Sequence, residues 1–304
     1  MNPPRYSNPQ ALRQAFADRL RPLAQESGIE LSALLRQFAY DRLLCRVFSA
    51  EPERWVLKGA TAMLARLERH SRHTLDVDLY SRAGNLAEAE RSLRNAAARD
   101  LDDYFRFVLD PARRMEQGGA ALRIPVVAFL GATDFARFHV DLVAELSMTG
   151  VPDQVPPLVP IDLPGLAYAT YRAYPIADHI ADKVCALLER HTRADGRIEG
   201  STRYRDLADL VSFARNMSVD AQELSVALDS EARRRRLTLP RRLEIPSDPG
   251  WTPGYARIVR DAPGLEERDL KAAERSAGHF VDPVLAGTAV GRWNPTAMTW
   301  GLRD

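Results

Sequence analysis

The segment His73-Thr74-Leu75-Asp76-Val77-Asp78-Leu79-Tyr80 sets two carboxylates two residues apart among apolar neighbours. Read as a strand, its alternation sends Leu75, Val77 and Leu79 to one face and Asp76 and Asp78 to the other. Two anions about 7 Å apart on one face repel each other unless a cation lies between them, and hard oxygen ligands of this kind suit Mg²⁺. An isolated D-x-D is common on solvated edge strands, so the surrounding sequence has to decide. Upstream, Lys58-Gly59-Ala60-Thr61 follows the apolar triplet Trp55-Val56-Leu57 just where a helical pattern starts. Glycine lets a phosphate approach the backbone, a helix N-terminus offers unpaired N–H groups, and the Thr61 hydroxyl adds a donor. A third carboxylate, Asp141, stands in Phe138-His139-Val140-Asp141-Leu142-Val143, again opposite the apolar side. Three acidic groups on neighbouring strands match the needs of two-metal phosphoryl transfer. Arg72, just before the carboxylate strand, is placed to counter phosphate charge.

The basic residues add a second clue. Of 42 lysines and arginines, only Lys58, Lys183 and Lys271 are lysine. A lysine kept against such a bias can mark a place where a compact point charge must reach an anion. In Ile176 to Leu188, Ile180, Val184 and Leu187 form an apolar stripe with Lys183 at its edge, so this ammonium needs either water or an anionic partner. The net charge of +1 gives no global attraction to nucleic acid, so any RNA surface has to be local. Arg233-Arg234-Arg235-Arg236, with Arg241 and Arg242, is the densest such patch, and a solvated helix end is its simpler explanation.

These residues need a scaffold, and 304 residues allow one large domain or two modest ones. The periodicities predict helices over 9–25 and 30–48, a strand at 55–57, a helix over 60–67 and a strand over 73–80. A helix over 86–98 and strands near 104–109, 122–129 and 137–143 follow. Six prolines between Val151 and Pro175 exclude a regular helix or a central strand and read as a linker. Helices over 176–190, 203–214, 219–235 and 265–280 come after it, interrupted by a second proline-rich stretch from Pro240 to Pro253. The expected organisation is a mixed α and β lobe at 1–150 opening with two helices, a linker at 151–175 and a helical lobe at 176–304. Cys45 and Cys185 lie in helical apolar patterns and read as buried reduced thiols. No apolar run is long enough for a membrane helix and the first ten residues lack a signal-peptide core, which predicts a cytoplasmic protein without a membrane partner.

Taken together, Leu57-Lys58-Gly59-Ala60 and the later Asp76-Val77-Asp78 resemble the first motif of the AbiEii/AbiGii-type nucleotidyltransferase toxins, the MenT-like type IV toxins of toxin–antitoxin pairs. Two later family motifs resemble Ala181-Asp182-Lys183-Val184-Cys185-Ala186-Leu187 and Arg203-Tyr204-Arg205-Asp206-Leu207-Ala208-Asp209-Leu210. The resemblance covers roughly residues 50 to 215. Ala60 departs from it, standing where the family has Ser or Gly.

The resemblance implies an α+β class with a polymerase β-like nucleotidyltransferase fold, a mixed sheet with flanking helices, and a mainly helical C-terminal lobe. It implies an NTP substrate, two Mg²⁺ ions, a tRNA 3′ end as acceptor, and a cognate antitoxin such as an AbiEi-like regulator encoded nearby. On that reading Asp76, Asp78 and Asp141 bind metal, and Lys58, Gly59, Ala60, Thr61, Arg72 and Lys183 serve the phosphates. Asp206, preferred narrowly over Asp209, supports Lys183. Two other functions fit the same sequence. One is nucleotidyl transfer to a small molecule or protein, and the other is a non-catalytic module that binds RNA or a partner.

Overall fold

A computed structural model of the chain describes residues 6–67, 74–82, 84–115, 121–144, 148–159, 161–192, 198–260, 262 and 264–302. Arg72 lies outside them. The chain divides into two compact units, the first running from the N-terminal helices to Ala173 and the second from Tyr174 onward together with Met148–Val151.

The first unit begins with α1 (Pro9–Ser27) and α2 (Leu31–Ala50). Asn8 caps α1 by accepting from the Ala11 N–H, with proline at the first helical position. Then come β1 (Trp55–Leu57), α3 (Gly59–Leu67), β2 (Asp76–Ser81), α4 (Leu86–Ala97), β3 (Phe105–Leu109), β4 (Arg113–Arg114), β5 (Ala121–Leu130) and β6 (Thr133–Ala144). Two short strands close the unit, β7 (Asp153–Val155) and β8 (Tyr171–Ala173). The sheet order is β3-β5-β6-β2-β1-β8-β7, with β4 beside β5. It is mixed, because β2 runs parallel to β6 and β1 parallel to β8, whereas the other pairs are antiparallel.

One face of this sheet packs on helices. Val77 and Leu79 of β2, Ile124 and Val126 of β5, and Val140 and Leu142 of β6 join one core with Phe16 of α1, Phe38 and Leu43 of α2, and Leu93 of α4. Each such side chain stabilises the fold by about 1.5–3 kcal/mol. The alternation that buries them turns Asp76, Asp78, Arg123, His139 and Asp141 to the other face. Leu75 departs from the expected pattern: the strand begins at Asp76, and Leu75 is 59% exposed ahead of it.

The proline-rich segment carries structure as well as connection, since β7 and β8 lie within it. Its prolines bracket the two strands and leave their backbone N–H groups free to pair. Buried Asp41 of α2 anchors this segment by accepting from the N–H groups of Leu158 and Val159 at 2.8 and 2.9 Å and from the Tyr171 hydroxyl at 2.8 Å. Burial raises its carboxyl to about 6, against those hydrogen bonds.

The second unit is mainly helical. It holds α5 (Ile176–Leu188), a hairpin of β9 (Arg190–Thr192) and β10 (Ile198–Gly200), then α6 (Tyr204–Asn216), α7 (Ala221–Arg235), α8 (Trp251–Arg260), α9 (Leu270–Leu285) and a last hairpin of β11 (Arg292–Asn294) and β12 (Thr299–Gly301). Helix α8 starts within the last residues of the proline-rich stretch from Pro240 to Pro253 and runs on beyond it. Pro253 occupies its first turn, where a missing N–H costs nothing. Helix α9 starts later than the periodicity suggests because Asp269 caps it through the Ala272 N–H. An α+β architecture with a mixed sheet, flanking helices and a helical C-terminal part is therefore what the chain adopts. Among the described residues no helix is long and apolar enough to cross a membrane, and Cys45 and Cys185 are buried free thiols.

Candidate active site

The parallel register of β2 and β6 sets Asp78 beside Asp141 and Asp76 beside His139. The antiparallel register of β6 and β5 sets Arg123 across from Asp141. Three carboxylates, a guanidinium and an imidazole therefore share one sheet face.

Gly59 lies against the same carboxylates. Its φ of +49° starts α3, and the Lys58 N–H donates to the Asp78 carbonyl at 2.9 Å. A Cβ at Gly59 would lie 2.4 Å from Asp78 Oδ2 and 2.6 Å from its Cγ. The glycine is required twice, for the positive φ and for the room that Asp78 occupies. Replacing Gly59 by alanine should cost only about 1–2 kcal/mol of stability, from the left-handed conformation. Asp78 must swing aside, however, and a misplaced reacting group costs about 10²-fold in turnover. Transfer assays beside thermal melts test this, and parallel losses in both would contradict it.

Thr61 is fully buried, and its hydroxyl donates to the Asp76 carbonyl while accepting from the Asp78 N–H, both at 3.1 Å. It staples α3 to the carboxylate strand instead of pointing to a phosphate. Ala60 is buried next to it.

Arg123 is the group that sequence reasoning missed. Its Nε donates to Asp141 Oδ1 at 2.8 Å and its Nη2 to Oδ2 at 2.6 Å, a fork that takes both carboxylate oxygens. Nη2 also lies 3.5 Å from Asp76 Oδ2, and His139 Nδ1 lies 3.4 Å from Asp76 Oδ1. The hydrogen bonds it donates to Asp141 raise the guanidinium's pKa further above its ordinary value, outweighing partial burial. The alternation applied to Asp76 applies equally to Leu122-Arg123-Ile124, where Arg123 falls opposite two core residues.

The donor set suits a hard divalent ion, since Asp76, Asp78 and Asp141 share one face and Gly59 lets the Asp78 carboxylate sit against the α3 N-terminus. Among the described residues no three acidic, His or Cys side chains yet converge on one point.

In the second unit, Lys183 is buried on α5 and bridges two carboxylates of α6, Asp206 at 2.7 Å and Asp209 at 2.8 Å. Both aspartates thus hold the lysine. The basic run is only partly available: Arg234 pairs with Glu231 at 2.5 Å, and Arg235 with Asp182 at 2.6 Å and Glu189 at 2.8 Å. Arg233, Arg234 and Arg236 are exposed, Arg236 as the left-handed cap of α7.

With the geometry in place, the family described as "Nucleotidyl transferase AbiEii toxin, Type IV TA system" matches residues 42–276. The chain belongs to this family. It is accordingly a nucleotidyltransferase, and AbiEii membership brings an NTP substrate and an antitoxin partner with it. No curated protein matches the sequence. Solved structures similar to this AbiEii member include MenT4, a nucleotidyltransferase toxin of Mycobacterium tuberculosis H37Rv, at 18% identity over 88% of this chain and 98% of that one, with a TM-score of 0.47. Another is JHP933 from Helicobacter pylori, at 16% identity over 84% of this chain and 93% of that one, with a TM-score of 0.42.

Proposed function

We propose that this chain transfers a nucleoside monophosphate from an NTP to the 3′ end of tRNA in the cytoplasm, releasing pyrophosphate and blocking translation. The observation that carries the reading is the joint placement of Asp76, Asp78 and Asp141 on one sheet face with the Gly59 turn against Asp78. Asp76 and Asp78 would hold Mg²⁺, and Asp141 would complete the set on the acceptor side. Bound there, the metal supplies charge for the triphosphate and lowers the pKa of the attacking hydroxyl. The chain's own work is positioning. Thr61 fixes the strand that bears the carboxylates, and the α3 N-terminus at Gly59 and Ala60 presents N–H groups to phosphate, with Lys58 beside it.

Sequencing RNA 3′ ends after expression tests the acceptor directly. Added nucleotides on tRNA support the proposal, whereas unaltered RNA with label appearing in a small molecule or a protein overturns it.

Lys183 gives a second test. Lys183→Ala leaves Asp206 and Asp209 facing each other without their cation and should cost about 3–5 kcal/mol. If the lysine also serves the triphosphate, the KM for NTP rises more than the loss of folded protein explains. Lys271→Ala, at an exposed position on α9, should leave both unchanged. Equal NTP use by the two variants would remove Lys183 from the mechanism.

A further inference from the structure

The third carboxylate is not free to receive a metal as it stands. Both oxygens of Asp141 accept from Arg123, at 2.8 and 2.6 Å, and the same guanidinium reaches within 3.5 Å of Asp76. Asp141 is nearly enclosed, its side chain 14% exposed, whereas Arg123 is 40% exposed on a flexible stem. The carboxylate is therefore fixed and the cation is the movable partner. A divalent ion ligated by Asp141 and Asp76 would share a few ångströms with a guanidinium that has nowhere to deprotonate, so the two cations compete for the same oxygens.

Resting on the metal-dependent reading above, we propose that Arg123 is a built-in counter-cation of the metal-free site, and that a divalent ion gains Asp141 only by displacing it. The fork satisfies the carboxylates while the site is empty and restrains their mutual repulsion. It also lowers the site's affinity for metal. Release needs no backbone motion, because the guanidinium hangs from β5 while Asp141 is held by β6.

The test is Mn²⁺ binding to the full chain without nucleotide, followed by the paramagnetic signal of the free ion, with melts recorded in EDTA and in Mn²⁺. Arg123→Gln should bind Mn²⁺ about tenfold more tightly than wild type, since a neighbouring positive charge and a competing fork are both removed. Its melting point in EDTA should fall and its gain on adding Mn²⁺ should exceed that of wild type. Arg123→Lys, which keeps the charge but loses the fork, should fall between them and serves if the glutamine variant folds poorly. In an Asp141→Asn background most of the gain from Arg123→Gln should vanish, because the contested carboxylate is gone.

Equal or weaker Mn²⁺ binding by Arg123→Gln overturns the proposal. If Asp78→Asn abolishes the binding in that case, the metal site stands and only the role of Arg123 falls. Should neither wild type nor any variant bind Mn²⁺, the metal-dependent reading fails together with it.

Discussion

Asp76→Ala and Asp78→Ala should each reduce nucleotidyl transfer about 10³-fold or more while the protein stays folded. The loss is large because these carboxylates would anchor metal charge against the triphosphate, an interaction supplying several kcal/mol in the transition state. Stability should respond differently. The contacts of Asp76 to His139 and Arg123 are long, at 3.4 and 3.5 Å, and partly exposed, so they are worth a fraction of a kcal/mol. Removing one of three like charges on the same face relieves repulsion by a similar amount. Melts in EDTA should therefore match wild type or rise slightly, and added metal should stabilise the variants less than wild type. Near-normal transfer by either variant would exclude the carboxylate face as the reaction centre.

The carboxylate face was legible because alternation is a local property. Val77 and Leu79 have to be buried, which leaves Asp76 and Asp78 only the opposite side, and the same logic places Asp141. What sequence could not show was register. Whether Asp141 falls beside Asp78 depends on how β6 slides along β2, a long-range choice set by the core that Val140 and Leu142 share with the helices. Arg123 was open to the same alternation argument. It was overlooked because one arginine among so many carries no signal until its cross-strand partner is known. The apolar stripe leaves Lys183 either water or an anion, and the structure supplies two aspartates one turn apart on α6. The proline rules misled in two places. At 151–175 they excluded a regular helix or a central strand and left a linker, although the prolines merely flank β7 and β8, which extend the sheet beside β1. At Pro240 to Pro253 they read a break up to Pro253, although α8 begins at Trp251 and a proline in a first turn is compatible with the helix.

A second large effect lies away from the chemistry, in a charge network that only tertiary contacts bring together. Arg42 and Arg46, one turn apart on α2, are fully buried, and Asp103 joins them. Arg42 Nε donates to Asp103 Oδ2 at 2.7 Å, and Arg46 donates to Oδ2 and Oδ1 at 2.9 and 2.6 Å. Arg42 Nη1 donates to the Ala167 carbonyl and Arg46 to those of Arg99 and Phe105, Arg42 Nη2 has only its ion-pair contact with Asp103, and the Phe105 N–H returns to Asp103 Oδ1 at 3.0 Å. Burial alone would raise the Asp103 carboxyl, but its hydrogen bonds and charge contacts with the two arginines hold it below its ordinary range. Asp103→Ala removes the carboxylate that the two arginines share and leaves two guanidinium groups buried. That should destabilise the unit by about 3–5 kcal/mol, or roughly 10 °C in melting point. Replacing Asp103, Arg42 and Arg46 together with apolar residues of similar volume should recover much of the loss, because the desolvation of the cations disappears with them. The network ties α2 to the start of β3, which pairs with the β5 strand that carries Arg123. Transfer per folded molecule should nevertheless stay close to wild type, because no member of the network lies on the carboxylate face. A melting point for Asp103→Ala within 2 °C of wild type, about a fifth of the expected shift, would mean that water or neighbouring carbonyls already compensate the two cations.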